Sequence, residues 1–222
     1  MSTYLLILLF SISIPFLFSF HPKIKFYKNW ISFLISTICI APIFIVWDIM
    51  FTKQGIWGFN HIHTGSLKLY NLPIEECLFF LIIPYCCIFT HETLQKVFNK
   101  NNLFNTKRLA LLGIFFLLLS LLFFDQPYTL SVLTGNAALL ITLYLLKLDS
   151  SKIILSYFVL LIPFFIVNGL LTGSLVEEEV VWYNTKAIWN IRIGTIPLED
   201  SLYFLLMFVS QTHIYDYLKK KI

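Results

Sequence analysis

The sequence predicts an all-α integral membrane protein, seven transmembrane helices arranged as a 3+1+3 parallel pseudo-repeat. Three observations carry that expectation. Of the 222 residues 58% are hydrophobic and 13% charged, with a mean hydropathy of +0.80, which leaves too few polar side chains to cover a soluble globule. Apolar stretches of about 20 residues, enough to cross a bilayer, recur along the whole chain. Finally, motifs in the first half return in the same order in the second.

Taken in order, the spans read at 3–20, 30–51, 74–95, 108–124, 128–147, 152–171 and 197–217. The first has no basic residue ahead of it, holds Pro15, and is followed by HPKIKFYK rather than a small-residue cleavage site, so it reads as a retained helix. Pro42 opens PIFIVWDIMF in the second span, and Pro163 opens PFFIVNGLLT in the sixth. Each is followed by a long polar loop (52–73 and 172–196) containing Trp57 or Trp182 and a basic residue, Lys68 or Arg192. Loops of that length with aromatic and glycine residues read as ordered lids. Each loop ends in a Pro-x-Glu-acid motif, NLPIEECLFF at 71–80 and TIPLEDSLYF at 195–204, which opens the third or seventh span. Two three-helix units in one orientation need an odd number of crossings between them, and the fourth span supplies one. The expected units are 1–100, a linking helix in 101–126, and 127–222. A β-barrel is excluded because runs such as IFFLLLSLLFF (114–124) do not alternate apolar with polar.

If successive spans alternate in direction, twelve Lys and Arg residues fall on one side, among them Lys23, Lys96, Lys100, Lys152 and Lys219, and four on the other: Lys53, Lys68, Lys186 and Arg192. The positive-inside rule then places the N-terminus outside, the C-terminus in the cytoplasm, and both acidic motifs at the outer face of the cell membrane. These short basic loops account for the net charge of +4 without a nucleic-acid partner. The four cysteines show no CxxC spacing, His61 and His63 form no recognisable metal set, and nucleotide-binding glycine motifs are missing, so no metal or cofactor is expected.

Alone, either acidic motif is a helix start: proline suits the first helical position and a carboxylate the positive dipole end. The motif, however, occurs twice at equivalent positions, 124 residues apart from Pro73 to Pro197. Its acids, Glu75 with Glu76 and Glu199 with Asp200, continue directly into lipid-depth helix, and Asp48 and Asn168 lie near the ends of neighbouring spans. Ionisable groups at such depth face a bundle interior or cavity. At i+4 the acids stand over Phe79, Phe80, Tyr203 and Phe204. A desolvated carboxyl beside a second one holds its proton while a partner near Lys68 or Arg192 stays ionised. Acid and aromatic faces together suit protonation of an alkene, with the carbocation shielded from water and the final proton taken by a carboxylate or amide. Proton gain and loss balance, so no redox cofactor is required.

WDIMFTKQGIWGFN, G-x-L-x-L-Y-NLPIEECLFF, IVNGLLTGS, VVWYN and IRIGTIPLEDSLYF resemble the small integral-membrane lycopene cyclases of the heterodimeric type, in the form with the two halves fused. The resemblance implies lycopene or a related carotenoid as substrate in a lipid bilayer, and conversion of its linear ψ-ends to β-ionone rings. It carries the catalytic acids onto Glu75 and Glu199, with Glu76 and Asp200 beside them; the residues' own pattern gives Asp48, Trp57, Asn168, Phe79, Phe80, Tyr203 and Arg192 as substrate-binding or supporting. The copies are unequal: aligned by their prolines, Trp47-Asp48 faces Asn168-Gly169, and Glu76 faces the shorter Asp200. That inequality points to Glu75 as proton donor. A small 3+1+3 transporter is the rival from another class, although the Pro-Gln pair of such carriers is missing; a cyclase of another ring type or carotenoid shares the same motifs. Oligomeric state, a homo-oligomer included, stays open.

Overall fold

The computed structural model describes residues 1–95, 104–174 and 177–222. Lys96, Lys100 and the unit boundary expected at 100/101 lie outside the described residues. The described chain forms seven α-helices: α1 (Thr3–Phe18), α2 (Trp30–Lys53), α3 (Ile74–Leu94), α4 (Thr106–Ser120), α5 (Pro127–Leu145), α6 (Ser151–Leu171) and α7 (Leu198–Lys219). The expected spans therefore return as helices within a few residues. Four of them, α2 (with the 3-10 turn ahead of it), α3, α5 and α6, are long and apolar enough to cross a membrane. Proline lies inside α1, α2, α3 and α6, which a membrane bundle tolerates because neighbouring groups re-satisfy the freed backbone.

Helix starts follow the local rules. Ser2 caps α1 by accepting from Leu5 N–H, Asn105 caps α4 by accepting from Arg108 N–H, and α5 begins on Pro127. Pro73 and Pro197 sit in extended backbone immediately before α3 and α7, so the acids that follow occupy the first turn. α1 lies along α3 and α5 along α7; α2 and α6 each pack on both α3 and α7, and α4 is held chiefly by α5. The main core sits between these central helices, around Phe44, Phe80, Leu160, Phe204 and Phe208. Leucine, isoleucine and phenylalanine side chains such as Phe10, Ile38, Phe115 and Ile162 cover the outside, as a lipid-facing surface requires.

The loops add what the helical reading did not foresee, three two-stranded antiparallel sheets among the described residues. In two of them a hairpin feeds directly into the motif: β2 (Lys68–Leu69) pairs with β3 (Leu72–Pro73), and β5 (Arg192–Ile193) with β6 (Ile196–Pro197). The third joins the two halves, β1 (Trp57–Phe59) pairing with β4 (Val181–Tyr183) so that Gly58 lies opposite Trp182. A side chain at Gly58 would run into the Trp182 indole, so the glycine lets the ring lie on bare backbone. Strands of two or three residues are too short for an alternating pattern to register in the sequence.

At the opposite end of the bundle α3, α6 and α7 share a second polar layer. His91, fully buried, meets Ser156 Oγ at 2.7 Å, and Lys219 and the Tyr215 hydroxyl both reach the Glu92 carboxylate.

Candidate active site

Where α3 and α7 begin, the bundle holds a partly open cavity of about 80 Å³, lined in part by β1 and β4. Its polar groups are Glu76, Asp48, Asp200 and Asn168 together with the hydroxyls of Tyr4, Tyr128, Tyr183 and Tyr203; Trp57, Phe79, Phe164 and Phe204 supply aromatic wall. The four aromatics expected beneath the acids divide: Phe79, Tyr203 and Phe204 face the cavity, whereas Phe80 is buried in the core against Phe44 and Phe79.

The acid pairs divide as well, and in the same way in both halves. The first acid of each motif ties down its own loop. Glu75 Oε1 accepts from Gly65 N–H at 2.7 Å and Ser2 Oγ at 2.5 Å; Glu199 Oε1 accepts from Trp189 N–H at 2.6 Å and Thr129 Oγ1 at 2.5 Å. Gly65 and Trp189 stand 124 residues apart, as do the two acids. Neither first acid lines the cavity, and the second oxygen of each is buried without a partner among the described residues.

The second acids point inward and receive different company. Glu76 Oε2 accepts from the Tyr4 hydroxyl at 2.6 Å, and its other close polar neighbour is the carboxyl of Asp48. Asp200 accepts from three donors: Tyr128 Oη at 2.7 Å, Asn168 Nδ2 at 2.7 Å and Tyr183 Oη at 2.9 Å. All of these groups except the half-buried Asn168 and Tyr183 are buried. Burial, and then the neighbouring Asp200, push the Tyr183 phenol well above its ordinary range, so it remains a donor across neutral pH.

Two corrections follow. Aligned by prolines, Asp48 matches Gly169; in the structure its counterpart is Asn168, because both side chains reach the second acid of their half, and the stacked Phe164–Phe204 pair likewise corresponds to Phe44–Phe80. The basic residues expected to hold an ionised acid do not do so: Lys68 and Arg192 are exposed, and Arg192 donates to Thr195 O and lies over the Tyr183 ring, 5.9 Å from its centroid. Hydroxyl and amide donors reach Asp200 instead, since they can enter the bundle without a charge of their own to desolvate.

Tyr4, Tyr128 and Tyr183 are the site residues that motif reading missed. Tyr4 and Tyr128 stand 124 residues apart, in the first turns of α1 and α5, so the repeat that exposed the acids also carried the signal for these two. Tyr183 was hidden because its counterpart, Phe59, has no hydroxyl. Among the described residues no three His, Cys, Asp or Glu side chains converge as a metal site.

A model of the lycopene cyclase family matches residues 1–94 and 125–218, most of the chain, in two segments. The chain belongs to the lycopene cyclase family. It is therefore a membrane enzyme of carotenoid biosynthesis whose substrate class is a carotenoid. Comparison with the curated proteins and with the solved structures returns no match.

Proposed function

We propose that the protein closes the linear ψ-ends of lycopene into β-ionone rings by acid-initiated, redox-neutral cyclisation, with Glu76 giving the proton and Asp200 taking it back. The family match supports the substrate; the unequal company of the two second acids is the observation that carries the division of roles.

Three donors on one carboxylate stabilise its anion, each hydrogen bond to a charged group being worth about 1.5–3 kcal/mol. Asp200 is accordingly the base. Glu76 has a single hydroxyl donor and faces another carboxyl, and two carboxylates at hydrogen-bonding range in a buried site do not both ionise at rest. The Asp48–Glu76 pair therefore holds one proton between them, with Glu76 at the cavity wall to deliver it. The terminal double bond of the substrate takes that proton and becomes a tertiary carbocation. The neighbouring double bond attacks to form the ring, and the new cation loses a proton to Asp200. Phe79, Phe164, Tyr203 and Phe204 present π-faces that stabilise a desolvated cation by about 2 kcal/mol each.

We read α1–α3 and α5–α7 as repeats in one orientation, joined by α4, which brings both acids to one depth at the outer face; the 124-residue offset shared by the Tyr–acid and loop–acid bonds supports this. One cavity then receives the two ends of the carotenoid in turn. Expression in cells that accumulate lycopene tests the whole reading: β-ringed pigment is expected. Unchanged lycopene from folded protein would remove it, and ε-rings would change the site from which the last proton leaves.

A further inference from the structure

Tyr203 is a large cavity-wall residue whose polar atom takes no part in the forward reaction. Its hydroxyl is buried and has no hydrogen-bond partner among the described residues. An unpaired hydroxyl held out of water costs about 1–3 kcal/mol, so its retention asks for an explanation. Its counterpart 124 residues earlier is Phe79, which fills the same wall position with no hydroxyl, so packing alone does not require one. The ring packs against Trp57, Tyr128 and Phe44 on the wall between the two halves. From there the oxygen is within electrostatic range of Asp48, Glu76 and Asp200 together.

The proposed reaction leaves the proton in the wrong place. After each ring closes, Asp200 carries a proton and the Asp48–Glu76 pair lacks one, and all three side chains are buried. The next closure needs that proton back on the donor side. Resting on the cyclase reading above, we propose that Tyr203 is the return path: its hydroxyl, bridged by water in the cavity, accepts the proton from Asp200 as it passes its own to Asp48. One O–H bond breaks and one forms at each of the two transfers, Tyr203 ends as it began, and no electron moves. The site is roomy and polar enough for the bridging water, since its volume exceeds that of one water and it offers carboxyl and hydroxyl partners.

The path separates the first ring from those that follow. Purified Tyr203→Phe keeps the ring and removes only the hydroxyl, and the donor pair is already loaded before substrate arrives. In a rapid-mixing assay with lycopene in lipid vesicles the variant, which keeps the aromatic face, is expected to slow the rings after the first far more than the first ring itself. Steady-state turnover then falls by about 100-fold, the lower end of what a positioned proton-transfer group contributes, with KM unchanged. Equal steady-state rates in variant and wild type would overturn the return path. Loss of the first ring in a variant whose thermal unfolding matches wild type would overturn it too, since the hydroxyl would then act in ring closure itself. Wild-type protein that forms no ring in the same assay sinks the cyclase reading instead, so the two failures are told apart.

Discussion

The two halves place the same elements around their second acid, and three of the positions at which they differ change its polar surroundings. Tyr4 and Tyr128 are alike. Asp48 stands where the other half has Asn168, Phe59 where it has Tyr183, and Phe79 where it has Tyr203. Each difference moves in one direction: the first half gains a carboxyl and lacks hydroxyls, and the second trades a carboxyl for an amide and adds hydroxyls. On the proposed reading, a duplicated frame gives one half the proton-bearing site and the other the anion-holding site. The lesson is that two acids of one repeated motif are told apart by their donors, and that a repeat makes those donors comparable position by position.

The largest effects should come from the second acids themselves. Glu76→Gln and Asp200→Asn are each expected to slow ring formation by about 1000-fold, within the range for general acids and bases. Glu75→Gln keeps an acceptor oxygen for Gly65 N–H and should retain most of the rate, though with a lower unfolding temperature. If Glu75→Gln were as damaging as Glu76→Gln in pigment assays of matched protein, the inward and outward acids would have to exchange roles. Making the halves more alike comes next. Tyr183→Phe removes one of the three donors on Asp200 and should cost about tenfold in turnover, the equivalent of one hydrogen bond to a charged group. Phe59→Tyr adds a donor beside Glu76, favours its anion and should also slow the enzyme; a faster enzyme from either change would reverse the assignment of base and acid.

Structural contrasts give smaller shifts. Gly58→Ala drives a methyl group into the Trp182 indole and should destabilise by about 1–3 kcal/mol, as overpacking does, measured by thermal unfolding in detergent. The smallest effect separates the two hairpins, whose turns both need a left-handed residue. The second half uses Gly194 at φ +64° and the first uses Tyr70 at φ +55°. Tyr70→Gly should raise stability by about 0.5 kcal/mol while Gly194→Ala lowers it by about 1 kcal/mol. Equal responses would mean that the two turns are not equivalent.

Much of this was legible in the sequence because it depends on long, repeated signals. Seven apolar runs became seven helices, and the twin motifs marked where the cavity would form. What stayed hidden depends on single atoms. Glu75 and Glu76 are adjacent, both lie in a first helical turn, and only the fold shows that one reaches back to Gly65 while the other reaches Tyr4. The counterpart of Asp48 was misread because the prolines fix the repeat at an offset of 121 residues, whereas reach to the second acid fixes it at 120, Asp48 against Asn168. Lys68 and Arg192 looked like charge partners because the sequence does not show that a short hairpin carries each of them out to the surface.

The Gly58–Trp182 contact bears on how the halves find one another. Were they separate chains, as the 1–100 and 101–222 pieces could be made, two copies of the first would set glycine against glycine and leave a gap, and two copies of the second would drive indole into indole. Only the mixed pair fills the ladder. Tagged pull-down of co-expressed pieces would show that sorting as mixed pairs recovered over like ones, and equal recovery would deny it. A single missing side chain would thereby act as a recognition code that selects the unlike half.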